Sequence, residues 1–331
     1  MDAKILNQVA LQMVVPGKGI LAADESTSTA GKRFEKIGIE NTEENRRAYR
    51  EMLFTAPNIG EYISGVIMYD ETFRQSTRNG VPFVKLLQDE GVLPGIKVDE
   101  STYEMPSSPK ERLTKGLDGL LPRLAEYAQM GAKFTKWRAV ITIGEGIPTD
   151  ANIRQNAKDL AAYAKMAQEA GLVPIVEPEV LMDWSNTQKQ CAEVSERVLT
   201  AVFEEVKNAG VAVEGMILKT NMAVPGKQSG EKVTAAQVAE LTLEVFRKIL
   251  PDNLPGQAFL SGGQSEEEAT TNLNEIVKCG PLPWRLSFSY GRALQDSSLQ
   301  AWAGKPENVA LAQAAFIERA RANSLATLGK L

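Results

Sequence analysis

Short apolar runs recur along the chain, and each is followed by a longer polar stretch with helical signals. The runs predict strands over Gly19–Asp24, Ser64–Asp70, Pro94–Glu100, Phe134–Val140, Val173–Val180, Val213–Thr220, Gly256–Gly263 and Arg285–Arg292. Between them, Thr42-Glu43-Glu44 opens an amphipathic stretch that runs to Phe54, and Ser265-Glu266-Glu267-Glu268 has the form of a capping box. Ala151–Ala170 is rich in Ala and charged residues and stops at Gly171. Strands alternating with helices predict a parallel sheet, and eight such units close into a (β/α)8 TIM barrel, with a doubly wound open sheet as the alternative. No Ser/Gly-rich linker, low-complexity tract or internal repeat divides the chain, so residues 1–331 are expected to form a single domain.

Ahead of the first strand, Asp2 and Lys4 sit within an amphipathic stripe of Ile5, Leu6, Val9 and Met13 that breaks at Pro16-Gly17. This pattern predicts a short packed helix, because the unbroken apolar core of a signal peptide is missing. No segment approaches the roughly 18 apolar residues that span a bilayer. A soluble, intracellular protein is expected.

Charged residues cluster late in the predicted strands: Asp24; Lys97 and Asp99; Lys136 and Arg138; Glu177 and Glu179; Lys219; Arg292. Residues two apart on a strand share a face, so each pair points the same way. One such pair is usually a solvated face. A parallel barrel strand has no solvated face, being covered by helices outside and packed side chains inside, so repetition over six strands favours the barrel. Buried charges must be paired, and here Asp24, Asp99, Glu177 and Glu179 can meet Lys97, Lys136, Arg138 and Lys219 at the C-terminal mouth. That mouth is where barrel enzymes place their chemistry.

Composition narrows the chemistry further. Hydrophobic residues make up 43% and charged residues 24%, as in an ordinary globular chain with a large core. The net charge is −5 with no basic run, which gives no reason to expect nucleic acid or an anionic membrane as partner and requires any anion site to be local. There is no histidine, which removes imidazole acid–base catalysis, Ser-His-Asp and Cys-His pairs and nearly every zinc site. Cys191 and Cys279 are far apart and outside any CxxC context, and are expected to be buried, inert thiols of a reducing compartment. Neither a metal nor a cofactor is expected.

Gly17-Lys18-Gly19-Ile20-Leu21-Ala22 matches the GxGxxA dinucleotide fingerprint, but it precedes a strand where the fingerprint should follow one, so it is set aside. The Gly-Lys dipeptides lack a following Ser or Thr and form no Walker A loop. Ser261-Gly262-Gly263 stands between the seventh strand and the helix opening at Ser265, where bare backbone N–H groups can close on an anion. Read alone, it serves equally as a plain turn. Ser289-Tyr290-Gly291-Arg292 ends the eighth strand, and barrels favour the loops after strands seven and eight for phosphate, so together they favour a phosphate site. Lys219 closes the apolar run Gly215-Met216-Ile217-Leu218, where desolvation and cations such as Lys136 are expected to lower its pKa and free the amine. A structural Lys–Glu pair is the plainer reading of such a position. A nucleophilic lysine among carboxylates points to carbonyl chemistry through an imine.

These motifs, in this order, resemble the class I fructose-bisphosphate aldolases. The resemblance runs from Gly17-Lys18-Gly19-Ile20-Leu21-Ala22-Ala23-Asp24-Glu25-Ser26 and Glu40-Asn41-Thr42-Glu43-Glu44-Asn45-Arg46-Arg47 through Gly95-Ile96-Lys97-Val98-Asp99, Lys136-Trp137-Arg138, Val173-Pro174-Ile175-Val176-Glu177-Pro178-Glu179 and Leu218-Lys219. It continues in Leu260-Ser261-Gly262-Gly263-Gln264-Ser265-Glu266-Glu267-Glu268-Ala269 and Phe288-Ser289-Tyr290-Gly291-Arg292-Ala293-Leu294, and so covers essentially the whole chain. It implies that Lys219 forms the imine with the ketose C2, and that Glu177 moves the protons that make and break the carbinolamine. It implies further that Asp24 takes the C4 hydroxyl proton and that Lys136 supplies positive charge beside the imine. Ser261, Gly262, Gly263, Ser289, Gly291 and Arg292 would hold the C1 phosphate, while Arg33, Lys97 and Arg138 would contact the distal part of the substrate or orient the carboxylates. The implied substrate is fructose 1,6-bisphosphate, with sedoheptulose 1,7-bisphosphate as a second, in glycolysis, gluconeogenesis or the Calvin cycle. The implied assembly is a homotetramer in the cytoplasm or the plastid stroma.

Two departures from the family pattern stand out. Ser26-Thr27-Ser28-Thr29-Ala30-Gly31 replaces a different small-residue pattern, which leaves distal-phosphate contacts in this stretch to Arg33 and Thr29. The chain ends at Gly329-Lys330-Leu331, where many members run on into a tail ending in a Tyr that helps protonate the enamine, so slow enamine turnover is expected. A transaldolase-like enzyme acting on a sugar monophosphate is the nearest alternative, and the second basic cluster of Arg33, Lys97 and Arg138 argues for a bisphosphate instead. A non-catalytic scaffold is the other, and it has no need for Asp24, Glu177 and Lys219 together.

Overall fold

The computed structural model describes residues 3–331. Eight parallel strands close a barrel: β1 (Gly19–Ala23), β2 (Ile63–Met68), β3 (Leu93–Lys97), β6 (Phe134–Ile141), β7 (Val173–Val180), β8 (Ile217–Thr220), β9 (Gly256–Phe259) and β10 (Arg285–Tyr290). They follow one another around the barrel in chain order, and β10 returns to pair with β1. The open sheet is thereby ruled out. Between β3 and β6, a two-stranded antiparallel hairpin of β4 (Thr102–Met105) and β5 (Ser108–Thr114) lies outside the barrel. The sequence reading missed this hairpin because the alternation in Thr102-Tyr103-Glu104-Met105 lasts only four residues and its partner strand opens with the polar, proline-containing run Ser108-Pro109-Lys110-Glu111-Arg112.

The barrel interior is stratified. Ile20, Ile67, Phe134, Val173, Ile175, Ile217 and Ala258 form one apolar cluster, which extends to Leu6, Ala10, Met13 and Val14 of the N-terminal segment. The helix Ala3–Met13 therefore closes one end of the barrel through Leu6, Ala10 and Met13; of the predicted stripe Leu6 and Met13 are buried and Val9 packs against the cluster, whereas Ile5 is exposed, and Asp2 lies outside the described residues. Phe134 fills the floor because Gly95 leaves room: a Cβ on Gly95 would stand 2.3 Å from the ring. Going up β6 by two residues from Phe134 replaces the apolar floor with Lys136, then Arg138. The same change on β7 runs from Ile175 to Glu177 and Glu179. Positions of the other parity, such as Trp137, Val176, Leu218 and Phe259, pack outward in the larger core shared with the helices.

Helix signals in the sequence hold their positions. Thr42 caps Glu43–Phe54, Thr149 caps Asp150–Glu169, and Ser265 and Glu268 exchange both hydrogen bonds of a capping box at the start of Glu266–Lys278. Several predicted strands end early: Asp24, Asp99 and Arg292 lie just past β1, β3 and β10, and Val213–Gly215 is a 3-10 turn preceding β8. Cys191 is buried as expected, whereas Cys279 is exposed because it caps the end of Glu266–Lys278. No helix among the described residues is long and apolar enough to cross a membrane.

Candidate active site

Four neighbouring strands, β3, β6, β7 and β8, and the end of β1 bring the charged residues together. Glu177 on β7 stands between the two buried lysines: its Oε1 lies 3.1 Å from Lys219 Nζ on β8, and its Oε2 lies 3.4 Å from Lys136 Nζ on β6. Lys136 also reaches Asp24 at 2.7 Å and Asp99 at 3.7 Å. Lys97 holds the other oxygen of Asp99 at 2.6 Å, and Arg138 is held in a short contact with Glu179. The four carboxylates and four cations read from the strand ends thus form one compensated network, as buried charges require.

Burial alone would raise the Asp24 pKa, but Lys136 and then Lys219 outweigh it and hold the carboxyl well below the ordinary carboxylate range. Burial would likewise favour a neutral Lys136. Asp24, Glu177 and Asp99 overturn that and hold Lys136 above the ordinary lysine range. For Glu179 burial acts upward and the Arg138 guanidinium prevails, lowering its pKa. Lys136 is therefore a fixed cation rather than a nucleophile. Lys219, with its side chain 5% exposed, contacts only the Glu177 carboxylate.

These groups open into a cavity of about 840 Å³. Asp24, Lys136, Glu177 and Lys219 line it together with Thr29, Arg33, Lys97, Arg138 and Gly291. Thr29 and Arg33 come from the helix Thr27–Glu35, which Ser26 caps. Ser261, Gly262, Gly263, Ser289 and Arg292 do not line this cavity and form an adjoining group. There Arg292 donates to the Gly262 carbonyl in a short hydrogen bond, and the buried Ser289 hydroxyl has no partner. The expectation of bare N–H groups is corrected at Gly263, whose N–H lies 2.9 Å from Met182 Sδ.

The sequence reading missed Glu25 as a cavity residue. Its carboxylate bridges Arg33 and Arg50, each at 2.5 Å, and accepts from Gln295 at 3.3 Å. Gln295 also donates to the Ala22 carbonyl at 2.7 Å and accepts from Tyr49, which ties β1 to the helix behind it. A signal was available: Arg50 is a cation among the buried positions Tyr49, Met52, Leu53 and Phe54 of one helix, and so demanded a buried anion. Tyr69 and Tyr127 also line the cavity, and they carried no sequence signal, since aromatic residues at element ends are more often core.

Comparison with known proteins places this geometry. The family model described as fructose-bisphosphate aldolase class-I (Glycolytic) matches residues 5–331. The chain is 51% identical over 331 residues to a probable fructose-bisphosphate aldolase class 1 of Xanthomonas campestris, covering 100% of this chain and 99% of that one. It is 54% identical over 326 residues to the cytosolic fructose-bisphosphate aldolase 5 of Arabidopsis thaliana, covering 98% and 91%. Fructose-bisphosphate aldolase from Plasmodium falciparum, solved in complex with TRAP and a small-molecule inhibitor, superposes with a TM-score of 0.98 at 50% identity, covering 99% of this chain and 95% of that one. The chain belongs to the class I fructose-bisphosphate aldolase family.

Proposed function

We propose that this enzyme cleaves fructose 1,6-bisphosphate reversibly to dihydroxyacetone phosphate and glyceraldehyde 3-phosphate through an imine on Lys219. The observation that carries this reading is the contrast between the two buried lysines: Lys136 faces three carboxylates and Lys219 one. An amine must shed its proton before it attacks, and Glu177, 3.1 Å away, is placed to receive it.

The steps follow from that placement. The Lys219 amine adds to the C2 carbonyl, Glu177 returns a proton to the carbinolamine oxygen, and water leaves as the iminium forms. Asp24, kept ionised by Lys136, accepts the C4 hydroxyl proton while the C3–C4 bonding pair moves into the iminium, releasing the aldehyde and leaving an enamine. Protonation at C3 and hydrolysis release the ketone product and regenerate the amine. The iminium is the electron sink that makes the C3 carbanion accessible.

The basic group of Arg33, Lys97 and Arg138, with Thr29, receives the distal end of the substrate. Ser261, Gly262, Gly263, Ser289, Gly291 and Arg292 receive the C1 phosphate. Sedoheptulose 1,7-bisphosphate differs at the distal end and is proposed as a second substrate. A cytosolic enzyme is proposed from the likeness to the cytosolic Arabidopsis protein, and a homotetramer from the family resemblance alone.

Reductive trapping tests the reading. Dihydroxyacetone phosphate followed by borohydride should inactivate the enzyme, with one triose phosphate per chain on the Lys219 peptide, and Lys219→Met should abolish trapping and cleavage together. A label on Lys97 or Lys136, or no label on an active enzyme, refutes the mechanism.

A further inference from the structure

The cations around the mouth divide into two groups. Lys97, Lys136, Arg138, Lys219 and Arg33 each contact a carboxylate. Arg292 and Lys227 make no ion pair among the described residues, and each lies against the same three-residue loop, Ser261–Gly263. Arg292 donates to the Gly262 carbonyl. Lys227 lies against Gly263, where an added Cβ would meet its Cε at 2.2 Å and its Nζ at 2.7 Å.

The position of Lys227 is set by its backbone. Its N–H donates to the Met182 carbonyl at 2.8 Å, and the flanking Gly226 and Gln228 N–H groups donate to Asn186 and Trp184 at 2.8 and 3.0 Å. Three backbone bonds thus hold the loop after β8 against the loop after β7 and aim Lys227 over Gly263. Glycine at 263 is what lets the lysine stem lie there. Lys227 and Gly263 also line a second cavity of about 810 Å³, which meets the Ser261–Gly263 loop at Gly263.

Lys227 is exposed and, although Glu231, Glu267 and Glu268 line the same cavity, it makes no ion pair among the described residues and is free to take up an anion at the loop it lies against. A phosphate monoester carries about −1.5 to −2 at neutral pH, more than one guanidinium balances. We propose that Lys227 is a further substrate-binding residue, the second cation for the C1 phosphate, closing on it across Gly263. This rests on the assignment of the Ser261–Gly263 loop to that phosphate.

The test uses imine trapping on the intact enzyme with two ketones that differ only by the phosphate, dihydroxyacetone phosphate and dihydroxyacetone. Lys227→Met should raise the half-saturating concentration of the phosphate ester about fivefold, the scale of a partly exposed charge-assisted contact. The value for dihydroxyacetone should stay unchanged. Lys227→Glu should raise the ester value further still, so that the series follows the charge at this position. An unchanged ester value, an equal shift for both ketones, or an order that ignores charge overturns the role of Lys227. Absence of any trapping at Lys219 in the parent enzyme would instead overturn the imine reading.

Discussion

Replacing Lys136 by Met removes the one cation that touches Asp24, Asp99 and Glu177 at once. At the three separations of 2.7, 3.7 and 3.4 Å, the gross Coulomb attraction at an effective dielectric near 20 is about 6, 4 and 5 kcal/mol. Most of that offsets the cost of desolvating four charges. The net loss from deleting one partner of a buried network is about 3–5 kcal/mol, because the remaining carboxylates are left uncompensated. Urea unfolding at pH 7 should therefore show a lower midpoint with an unchanged slope. The pH dependence gives the sign. In the parent enzyme Asp24 has a depressed folded pKa, so its contribution is fully present above the unfolded value of about 3.9 and is lost as pH falls through the folded value. In Lys136→Met burial acts on Asp24 with only Lys219 and Lys97 to oppose it, so its folded pKa rises toward the unfolded value and the variant loses less stability than the parent as pH falls. The difference between the two proteins should be largest near pH 7 and narrow in acid. A difference below about 1 kcal/mol, the range of exposed pairs, or one independent of pH would refute the network as described.

Arg292→Ala should raise the Michaelis constant for fructose 1,6-bisphosphate about tenfold, since a charge-assisted phosphate contact contributes about 1.5–3 kcal/mol and 1.4 kcal/mol is a factor of ten; an unchanged constant removes Arg292 from the site. A chelator should leave cleavage unchanged, and loss of activity restored by a divalent metal contradicts the imine mechanism. Gly95→Ala should cost about 1–3 kcal/mol through overpacking against Phe134, seen as a lower urea midpoint; a neutral result means that the barrel floor has more room than its geometry indicates.

The eight barrel strands were legible because each is a short apolar run bounded by turn residues, and the charged strand ends were legible because buried strands have no solvated face to explain them. Which charges pair was not legible. Lys136 and Glu177 lie on adjacent strands and could be matched from a barrel register, but Glu25, Arg33 and Arg50 meet only because two helices return to the end of β1. The hairpin Thr102–Thr114 gave only a four-residue alternation, too short to separate from a loop. Lys227 read as an ordinary loop lysine, and only its place over Gly263 separates it from the others.

The arrangement reconciles an acidic chain with an anionic substrate. A net charge of −5 repels a sugar bisphosphate at long range, but that field is screened beyond about 8–10 Å. Inside that distance the mouth presents Lys97, Lys136, Arg138, Lys219, Arg33, Arg50, Arg292 and Lys227 against Asp24, Glu25, Asp99, Glu177 and Glu179. Six of these cations are paired with the carboxylates, and the two that make no ion pair among the described residues, Arg292 and Lys227, sit at one loop rather than being spread around the rim. Paired charges in the centre keep Asp24 ionised and hold the reacting groups in place. Unpaired charges at the Ser261–Gly263 loop retain their full attraction for a phosphate, and so locate one end of the substrate while the other reaches Arg33 across the cavity. In the proposed imine mechanism, that asymmetry between the two ends would orient the substrate with C2 beside Lys219 rather than reversed.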